Sequence, residues 1–526
     1  MPAKTRLPFS VRRAPGVSPH IIAPMPSKPT DGESRDFIAL AAVPEEVGEL
    51  ATPDGPAIRS GKLAGRSLFA AIMIIALPVL LGQCANALVG LVDKILAGHL
   101  APELVKPALD GLGLAGYVGW FVSISMMAVG VGGMAIIARA VGSGDRPLAE
   151  RTLAQCGLLS IIWGAIVGAA LWVVAPVMAR IAHLSPAATL DCVAYIRILA
   201  AGLPVASYLL VSMSCLQGAG ETARPFLIMV VVNIVNVITS WAYSGVEVSF
   251  GSFTIPNPVG INANVQGIAF GTVTAQAVGA VLMHALMRHG IRDLRLEMNY
   301  ARFDRALFRR IVRIGLPGFL DGMGIWLGQL FAVLWVLGAI VKRSNLDEGM
   351  IGAHEIAIQW ESFSFLPGYA MGVAAGALAG QYLGAGNPKM ARRAIRACLY
   401  IAMIVMGIAG LAFIFAGPWL THLISRDPVH LDLAPRALFI AGFAQVPFAM
   451  SMVLRGALSG AGDTRWSMVL AWSSTYGVRV PASWLLGYAL GYGFTGVWIA
   501  LCGELVVRGL LYLARYLHGG WEKIEV

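Results

Sequence analysis

Five ionisable side chains lie inside long apolar runs of this sequence. A charged side chain at the centre of a bilayer costs about 2.5 to 3.5 kcal/mol on insertion scales, so such a residue usually binds an ion, a proton, a substrate or an opposite charge. These positions are therefore the places where chemistry is expected. They are Asp93, Asp321, Glu361, Arg479 and Glu504.

Arg479 and Glu504 fall in the last two apolar runs and have opposite charges. Opposite charges can pair there and offset much of the cost of their burial. We expect a structural charge pair at this place, in preference to a binding site for an ion or a substrate.

Glu361 lies about ten residues, or roughly 15 Å, into its apolar run, near the middle of a membrane. Either it attracts a cationic substrate, with Trp360 nearby for a cation–π contact, or it is hydrogen-bonded and locks the helix packing. Asp93 lies about 25 residues into the first run, toward one end of its helix. It is either an ion-binding carboxylate or a solvated one at the membrane surface beside Lys94.

Membrane helices must position these residues. Apolar residues (AVILMFWYC) make up 57% of the 526 residues and charged residues 13%, whereas soluble domains have roughly 45–50% and about 25%. The net charge of +10 comes from Lys and Arg in short loops, which is typical of membrane topology and not of nucleic-acid binding. The six cysteines are scattered and the histidines isolated, so we expect no metal site.

The apolar runs predict twelve spans when they are divided at their loops. The first six lie near residues 68–92, 111–138, 153–178, 195–216, 226–244 and 264–287. The second six lie near residues 314–340, 351–378, 396–420, 435–457, 468–489 and 494–515.

Lys and Arg are concentrated in one alternating set of loops, to which we assign Arg139, Arg224, Arg392 and Arg455. Because positive loops stay cytoplasmic, both termini are expected in the cytoplasm of a multi-pass protein of the inner or plasma membrane. Residues 1–65 are Pro-, Ser- and charge-bearing and predict a disordered tail. The Arg-rich start is alternatively typical of an organellar transit peptide.

The two halves of the chain repeat each other at an offset of about 240 residues, as in many transporters. Three matches occur in the same order. They are Ala76–Leu81 with Gly315–Leu320, Gly142–Asp145 with Gly384–Asn387, and Leu216–Thr222 with Leu458–Thr464. The glycine motifs are interpreted as capped turns between helices and not as phosphate loops, since no Gly-Lys-[Ser/Thr] follows.

The predicted fold is an all-α integral membrane protein with twelve transmembrane helices in two parallel-topology six-helix repeats around a central cleft. The predicted segments are a tail (1–65), an N-terminal lobe (66–287), a basic cytoplasmic linker (288–313), a C-terminal lobe (314–518) and a short tail (519–526).

With these motifs, the sequence resembles the multidrug and toxic compound extrusion (MATE) family from about Arg66 to His518. Beyond the paired glycine turns, the resemblance rests on several stretches. They are Leu77–Val79, Gly90–Asp93, Ala138–Asp145, Gly352–Ala357, Glu361–Gly368 and Gly380–Gly386.

The resemblance implies an exporter of amphipathic organic cations that works by alternating access in antiport with H⁺ or Na⁺, without a cofactor. It implies a cation site at Asp93, Asn233 and Asn236, with Ser240 where the family has an acidic or amide residue. The asparagines are alternatively interhelical hydrogen-bonding groups.

In some branches the seventh helix carries a glutamate at the position of Ile325, and Asp321 and Gln329 flank it one turn away on either side. They are candidates for the substrate cleft. Asp321 is alternatively a polar group near the cytoplasmic entrance.

Two other functions are weighed against export. A lipid-linked precursor flippase of the same superfamily is disfavoured by the number of spans and the few Arg and Lys expected inside the membrane. A non-transporting membrane receptor, or an intramembrane enzyme, is disfavoured because the chain consists of two similar halves and its sequence shows no nucleophile–base or metal cluster. The protein is expected to be a monomer surrounded by lipid and not to be an enzyme.

Overall fold

The fold is seen in a computed structural model, which describes residues 66–524 apart from several gaps. The gaps are 99–101, 182–185, 251–252, 258, 260, 292–293, 298–299, 301, 332–335, 337–338, 341–349 and 425–427. For a further set of residues the structure describes the backbone but not the side chain. They are residues 86–95, 98, 102–117, 181, 186–188, 248–250, 253–255, 330, 351 and 355. The predicted tail over residues 1–65 lies outside the described residues.

Long apolar helices dominate the described part of the chain, and ten of those described are long and apolar enough to cross a membrane. The first half contains α1 (Leu68–Gly98), α2 (Pro102–Ser143), α3 (Arg146–Ile181), α4 (Pro186–Gly218), α5 (Ala223–Ser244) and α6 (Asn264–His289). The second half contains α7 (Arg305–Leu330), α8 (Met350–Gly384), α9 (Pro388–Ile424), α10 (Pro428–Ala461), α11 (Thr464–Ser474) and α12 (Gly493–His518).

α7 and α11 are the two predicted spans outside those ten. α7 begins in a basic segment, which lowers its hydropathy. α11 continues without a break as a π-helix over Thr475–Arg479, an α-helical turn over Val480–Ala482 and a second π-helix over Ser483–Ala489. The turn contains Pro481, which lacks a backbone N–H and so favours the wider hydrogen-bonding pattern around it. All twelve predicted spans thus have a counterpart, and the predicted all-α membrane fold is confirmed.

The same packing pattern occurs in both halves, which we name the N-lobe (α1–α6) and the C-lobe (α7–α12). In the N-lobe, α1 packs on α5, α2 on α4, α3 on α4, and α4 and α5 on α6. In the C-lobe, α7 packs on α11, α8 on α10, α9 on α10, and α10 and the second π-helix on α12. Between the lobes α2 packs on α8, α1 on α8 and α2 on α7. The repeat found in the sequence is therefore a repeat of helix packing.

The repeated glycine motifs form turns at one end of the bundle, which we name the basic end because Arg146, Arg224, Lys389 and Arg465 follow these turns directly. Gly144, Gly220, Gly386 and Gly462 adopt φ values of 79°, 77°, 77° and 90°, a conformation that favours glycine. Asp145 Oδ1 accepts from the Leu148 N–H and Asn387 Oδ1 from the Met390 N–H, each at 3.1 Å. The four turns are as predicted, and a side chain caps the following helix in the turns of Gly144 and Gly386.

Three details go beyond the sequence prediction. The basic linker is partly helical, because α7 already begins at Arg305, where Asp304 caps the Ala306 and Leu307 N–H groups. A short hairpin pairs Val248–Phe250 with Phe253–Ile255 between α5 and α6. The C-terminal segment forms a 3₁₀ turn over Gly520–Lys523, in which Trp521 is fully buried.

Candidate ion site, charge network and gate

A polar face of α5 carries the three residues that the resemblance places in the cation site. Asn233, Asn236 and Ser240 are three and four residues apart and so share one side of the helix. Asn236 Nδ2 donates to Thr272 Oγ1 of α6 at 3.0 Å, and Ser240 Oγ donates to the Ile268 carbonyl oxygen at 3.2 Å. Part of this face therefore joins α5 to α6.

Two atoms of the same polar face have no partner among the described residues. Asn236 Oδ1 and Asn233 Nδ2 are buried, and no described side chain or backbone group hydrogen-bonds to either. α1, the helix that carries Asp93, packs on α5, but the Asp93 side chain lies outside the described residues. An amide oxygen accepts a hydrogen bond from a protonated group and also coordinates hard cations such as Na⁺. The residues present therefore fit a cation or proton site.

In the C-lobe, Asp321 of α7 forms an ion pair with an arginine side chain of another helix. Its side chain is buried, and Oδ2 accepts from Arg455 Nε of α10 at 2.6 Å and from Ser467 Oγ of α11 at 3.3 Å. Tyr512 of α12 donates to the Ser467 carbonyl oxygen at 3.1 Å. Asp321 is thus a junction between three helices, and its charge is neutralised by Arg455.

A second buried group joins α12 to the eleventh helix. Glu504 is fully buried and contacts two guanidinium groups: Arg479 Nη2 lies 2.7 Å from Oε2, and Arg508 Nη2 lies 2.6 Å from Oε1. Arg508 also donates to Ser474 Oγ at 3.1 Å and to Thr475 Oγ1 at 2.9 Å. Arg479 and Glu504 are in contact, as expected from the sequence, and Arg508 is a third member.

Arg479 extends this network to α7, because its Nη1 donates to Gln329 Oε1 at 3.0 Å. Gln329 lies eight residues after Asp321 on α7, and both side chains contact arginines of the C-lobe. The π-helix over Thr475–Arg479 ends at Arg479. A π-helical turn contains one more residue than an α-helical turn, which changes the direction in which the following side chains point.

Glu361 and Trp360 of α8 differ in their surroundings. Glu361 is half-buried, and no described residue hydrogen-bonds or ion-pairs with its carboxylate, although the charge of Arg479 acts on it. Trp360 Nε1 donates to the Leu420 carbonyl oxygen of α9 at 3.1 Å, and its ring lies 5.9 Å from that of Phe363. Trp360 thus fixes α8 to α9, while Glu361 keeps a carboxylate available.

Two hydrogen bonds join the lobes at the basic end, and their donors occupy equivalent positions in the two halves of the chain. Arg139 Nη2 of α2 donates to the Ala461 carbonyl oxygen at 3.0 Å, and Gln381 Nε2 of α8 donates to the Gly218 carbonyl oxygen at 2.9 Å. The donors are related by the offset of 242 residues from 139 to 381, and each acceptor is the last residue of the fourth helix of the other lobe. We name this pair of bonds the latch.

Glycines allow the lobes to approach each other beside the latch. A Cβ added at Gly142 of α2 would overlap the Gln381 carbonyl oxygen, and one added at Gly384 of α8 would overlap the Arg139 carbonyl oxygen. These glycines are also related by the offset of 242, from 142 to 384. The sequence explains them as turn residues, and the structure adds that they form the crossing point of α2 and α8.

Matching bonds also hold each lobe together at this end. Thr222 Oγ1 donates to the Ile74 carbonyl oxygen and Thr464 Oγ1 to the Ile314 carbonyl oxygen, both at 2.7 Å. In the turn before Thr464, Arg515 Nε donates to Asp463 Oδ2 at 2.8 Å. Burial raises the pKa of Asp463, and the Arg515 guanidinium opposes that rise.

Two arginines of the C-lobe network were not found from the sequence. The assignment of Arg455 to a basic loop is wrong, because its side chain turns inward from α10 to the buried carboxylate of Asp321. Arg508 was missed although it follows Glu504 by four residues, the spacing of opposite charges on one helix face. That spacing was the available signal.

A model of the MatE family matches residues 78–242 and 325–485 of the chain, one stretch in each lobe. The probable multidrug resistance protein NorM of Thermotoga maritima is 27% identical over 457 residues, which cover 86% of this chain and 93% of that protein. The multidrug resistance protein PmpM of Pseudomonas aeruginosa is 24% identical over 461 residues, which cover 85% and 92%.

Solved structures share the fold. A transporter of the MOP superfamily from Pyrococcus furiosus, described as having a binding pocket of reverse polarity, is 19% identical with a TM-score of 0.76 and covers 87% of this chain and 97% of its own. A multidrug resistance MATE family transporter in the outward-facing conformation is 20% identical with a TM-score of 0.76 and the same coverage.

The family model covers more than half of the chain, in two stretches that coincide with the repeat. The predicted resemblance is thereby confirmed, and the family is one of transporters and not of enzymes. This chain is therefore a multi-pass membrane transporter that belongs to the multidrug and toxic compound extrusion (MATE) family.

Proposed function

We propose that this protein exports organic compounds, cationic ones among them, by alternating access and in exchange for H⁺ or Na⁺. The observation that carries the coupling mechanism is a difference between the lobes. Asp321 and Glu504 of the C-lobe are neutralised by Arg455, Arg479 and Arg508. An external cation has little to gain at acids that already contact guanidinium groups.

The N-lobe offers the complementary arrangement. Asn236 Oδ1 is buried without a donor among the described residues, and α1 packs on the same helix. A cation or proton bound jointly by Asp93 and the α5 amides would balance the carboxylate charge that burial disfavours. We therefore assign coupling to Asp93, Asn233, Asn236 and Ser240. The chemistry of these oxygens suits both H⁺ and Na⁺.

Glu361 is the proposed attraction point for a positively charged substrate. It is the carboxylate of α8 without a hydrogen bond or ion pair among the described residues, and α8 contacts both lobes. Trp360 supports the position of this helix through its bond to α9, and Gln329 holds Arg479. The substrate is thus recognised mainly by charge, while the methionine- and aromatic-rich helices supply apolar contact.

The latch explains how one side is closed. Two bonds and a glycine crossing join α2 and α8 at the basic end. We propose that the basic end is cytoplasmic because positive loops stay on that side, that both termini lie there, and that the protein acts as a monomer in the plasma or inner membrane. Breaking the latch then opens the cleft to the cytoplasm, where substrate is collected.

The flippase alternative receives no support from the buried arginines. A cleft that carries an anionic lipid-linked precursor needs unpaired basic groups, whereas Arg479 and Arg508 share Glu504, and Arg455 contacts Asp321. Export of organic compounds, as the names of the curated relatives indicate for those proteins, agrees better with this balance of charge.

The test is replacement of Asp93 with Asn in proteoliposomes, with efflux of a fluorescent organic cation driven by an imposed inward H⁺ or Na⁺ gradient. We expect gradient-driven efflux to be abolished while substrate binding is retained. The matched control is Asp432→Asn, which removes an exposed carboxylate that pairs with Arg436 one turn away. Undiminished ion-driven efflux by Asp93→Asn would exclude the coupling role of Asp93.

A further inference from the structure

A cavity at the basic end lies outside the transport machinery described above. It has a volume of about 410 Å³ and is formed by the first turns of α7 and the residue before its cap. Its lining combines guanidinium groups with aromatic and aliphatic side chains. The lining residues are Phe303, Arg305, Phe308, Arg309, Val312 and Arg313.

The three arginines are arranged along one face of the helix. Arg305, Arg309 and Arg313 follow each other at intervals of four residues, and all three are exposed. No described residue forms a hydrogen bond or ion pair with any of these guanidinium groups. Like charges at this spacing repel each other on a helix, so the stripe favours an anion that contacts more than one arginine.

The apolar side of the cavity continues along α7 away from the basic end. The Phe303 and Phe308 rings are 5.3 Å apart at their centroids, and Phe303 is 56% exposed. Val312 and the exposed Leu316 follow one and two turns after Phe308. The arginine stripe ends at Arg313, and the exposed apolar surface continues past it to Leu316. The end of the cavity farther from the basic end is therefore bordered by apolar surface, as expected where the headgroups of a membrane meet its acyl chains.

We propose that this cavity binds an anionic phospholipid of the leaflet at the basic end. The arginine stripe contacts the phosphate, because guanidinium groups bind phosphate oxygens through paired N–H donors. Phe308, Val312 and Leu316 contact the start of an acyl chain. A basic site beside membrane helices is the kind of surface that recognises acidic headgroups.

The location gives this lipid a path to the transport cycle. α7 is the first helix of the C-lobe and packs on α2 of the N-lobe. A Cβ added at Gly132 of α2 would overlap the Ile311 carbonyl oxygen, so the backbones meet within the same turns that carry Arg309 and Arg313. A bound phospholipid therefore lies on the part of α7 that packs against the other lobe.

The experiment measures lipid retention by the full-length protein. The protein is placed in nanodiscs with a small fraction of phosphatidylglycerol in phosphatidylcholine, and phosphatidylglycerol that remains bound after detergent extraction is quantified by native mass spectrometry. The test variant is Arg305→Gln/Arg309→Gln/Arg313→Gln. The matched control is Arg288→Gln/Lys389→Gln/Arg465→Gln, which removes three exposed positive charges from the same end.

We expect the test variant to retain phosphatidylglycerol on the order of tenfold less than the wild type, and the control variant to stay within about threefold of it. Equal losses in both variants would overturn the proposal, because the attraction would then be the diffuse one of any basic surface. Excess inorganic phosphate should not displace the lipid. If it does so in full, the site recognises phosphate alone and the lipid assignment is wrong.

A further variant distinguishes the loss of the lipid site from a folding defect. Arg305→Lys/Arg309→Lys/Arg313→Lys keeps the charge and loses the paired donors, so we expect retention between those of the wild type and the Gln variant. All variants are compared as monodisperse fractions from size-exclusion chromatography. Retention by the Lys variant equal to that of the Gln variant, with the control unchanged, would refute the charge argument. This outcome is independent of Asp93 and of the coupling ion.

Discussion

The latch gives the most direct prediction about alternating access. We consider the double substitution Arg139→Met/Gln381→Leu, which removes both donors with little change in side-chain volume. Arg139 donates to the Ala461 carbonyl oxygen at 3.0 Å, and Gln381, which is fully buried, donates to the Gly218 carbonyl oxygen at 2.9 Å. Both acceptors belong to the opposite lobe, so these bonds exist only while the basic end is closed.

The expected size follows from the chemistry of the two donors. A hydrogen bond from a charged group contributes about 1.5 to 3 kcal/mol, and one from a neutral group about 0.5 to 1.5 kcal/mol. Their loss therefore favours the open basic end by about 2 to 4.5 kcal/mol. Because 1.4 kcal/mol is a factor of ten, the ratio of open to closed protein should rise on the order of 30-fold to 1,000-fold.

The assay is double electron–electron resonance between spin labels at positions 288 and 389, which are exposed and lie in different lobes at the basic end. The label sites are introduced after Cys84 is replaced, since it is the cysteine exposed in the described part of the chain. We expect one short distance for the wild type and an additional, longer distance for the latch variant.

The control for this measurement is Thr222→Val/Thr464→Val. It removes two hydrogen bonds at the same end, each 2.7 Å long, but both lie within a lobe. It should leave the distance unchanged. A latch variant with the wild-type distribution, or a control that opens equally, would refute the assignment of the gate to these bonds.

Three further predictions concern the C-lobe and the crossing of α2 and α8. Asp321→Ala should lower the free energy of unfolding by about 3 kcal/mol in a thermal or denaturant assay, because Arg455 loses its partner. The double substitution Asp321→Leu/Arg455→Met should recover most of that loss, and equal destabilisation by both variants would contradict the pairing. Glu361→Gln should raise the KM for a cationic substrate about tenfold and leave that of an uncharged substrate unchanged, as measured by efflux; parallel changes would exclude charge recognition. Gly384→Val should prevent closure of the basic end, measured with the same spin labels, because the new side chain meets the Arg139 carbonyl oxygen; a normal closed distance would show that the crossing tolerates side chains.

The architecture could be predicted from the sequence because its signals are local or periodic. Apolar runs predict the helices. Gly144, Gly220, Gly386 and Gly462 mark the turns, and each of these glycines has a positive φ. The repeat of these motifs predicted two lobes with the same helix packing, and the packing of the helices agrees with that prediction. Each of these inferences needs only neighbouring residues and their spacing.

The candidate site was less predictable because it depends on the direction of long side chains. Arg455 lies six residues before the end of α10, and from that position an arginine can extend either to the membrane surface or inward. Only the location of Asp321 on another helix decides between the two. The latch could not be predicted from the sequence for a similar reason. It depends on the register of α2 against α8, and these two helices belong to different lobes. The π-helices around Arg479 also leave no periodic signal in the sequence.

We propose that uphill export by this protein is coupled to an inward flow of H⁺ or Na⁺. The most direct measurement uses purified wild-type protein in proteoliposomes, where an inward gradient of one cation is imposed and the outward movement of an organic cation and the inward movement of the ion are recorded together. Under coupled antiport, substrate leaves against its own gradient only while one of the two ions enters. Uphill export without either ion gradient, or substrate movement that neither gradient accelerates, would contradict it.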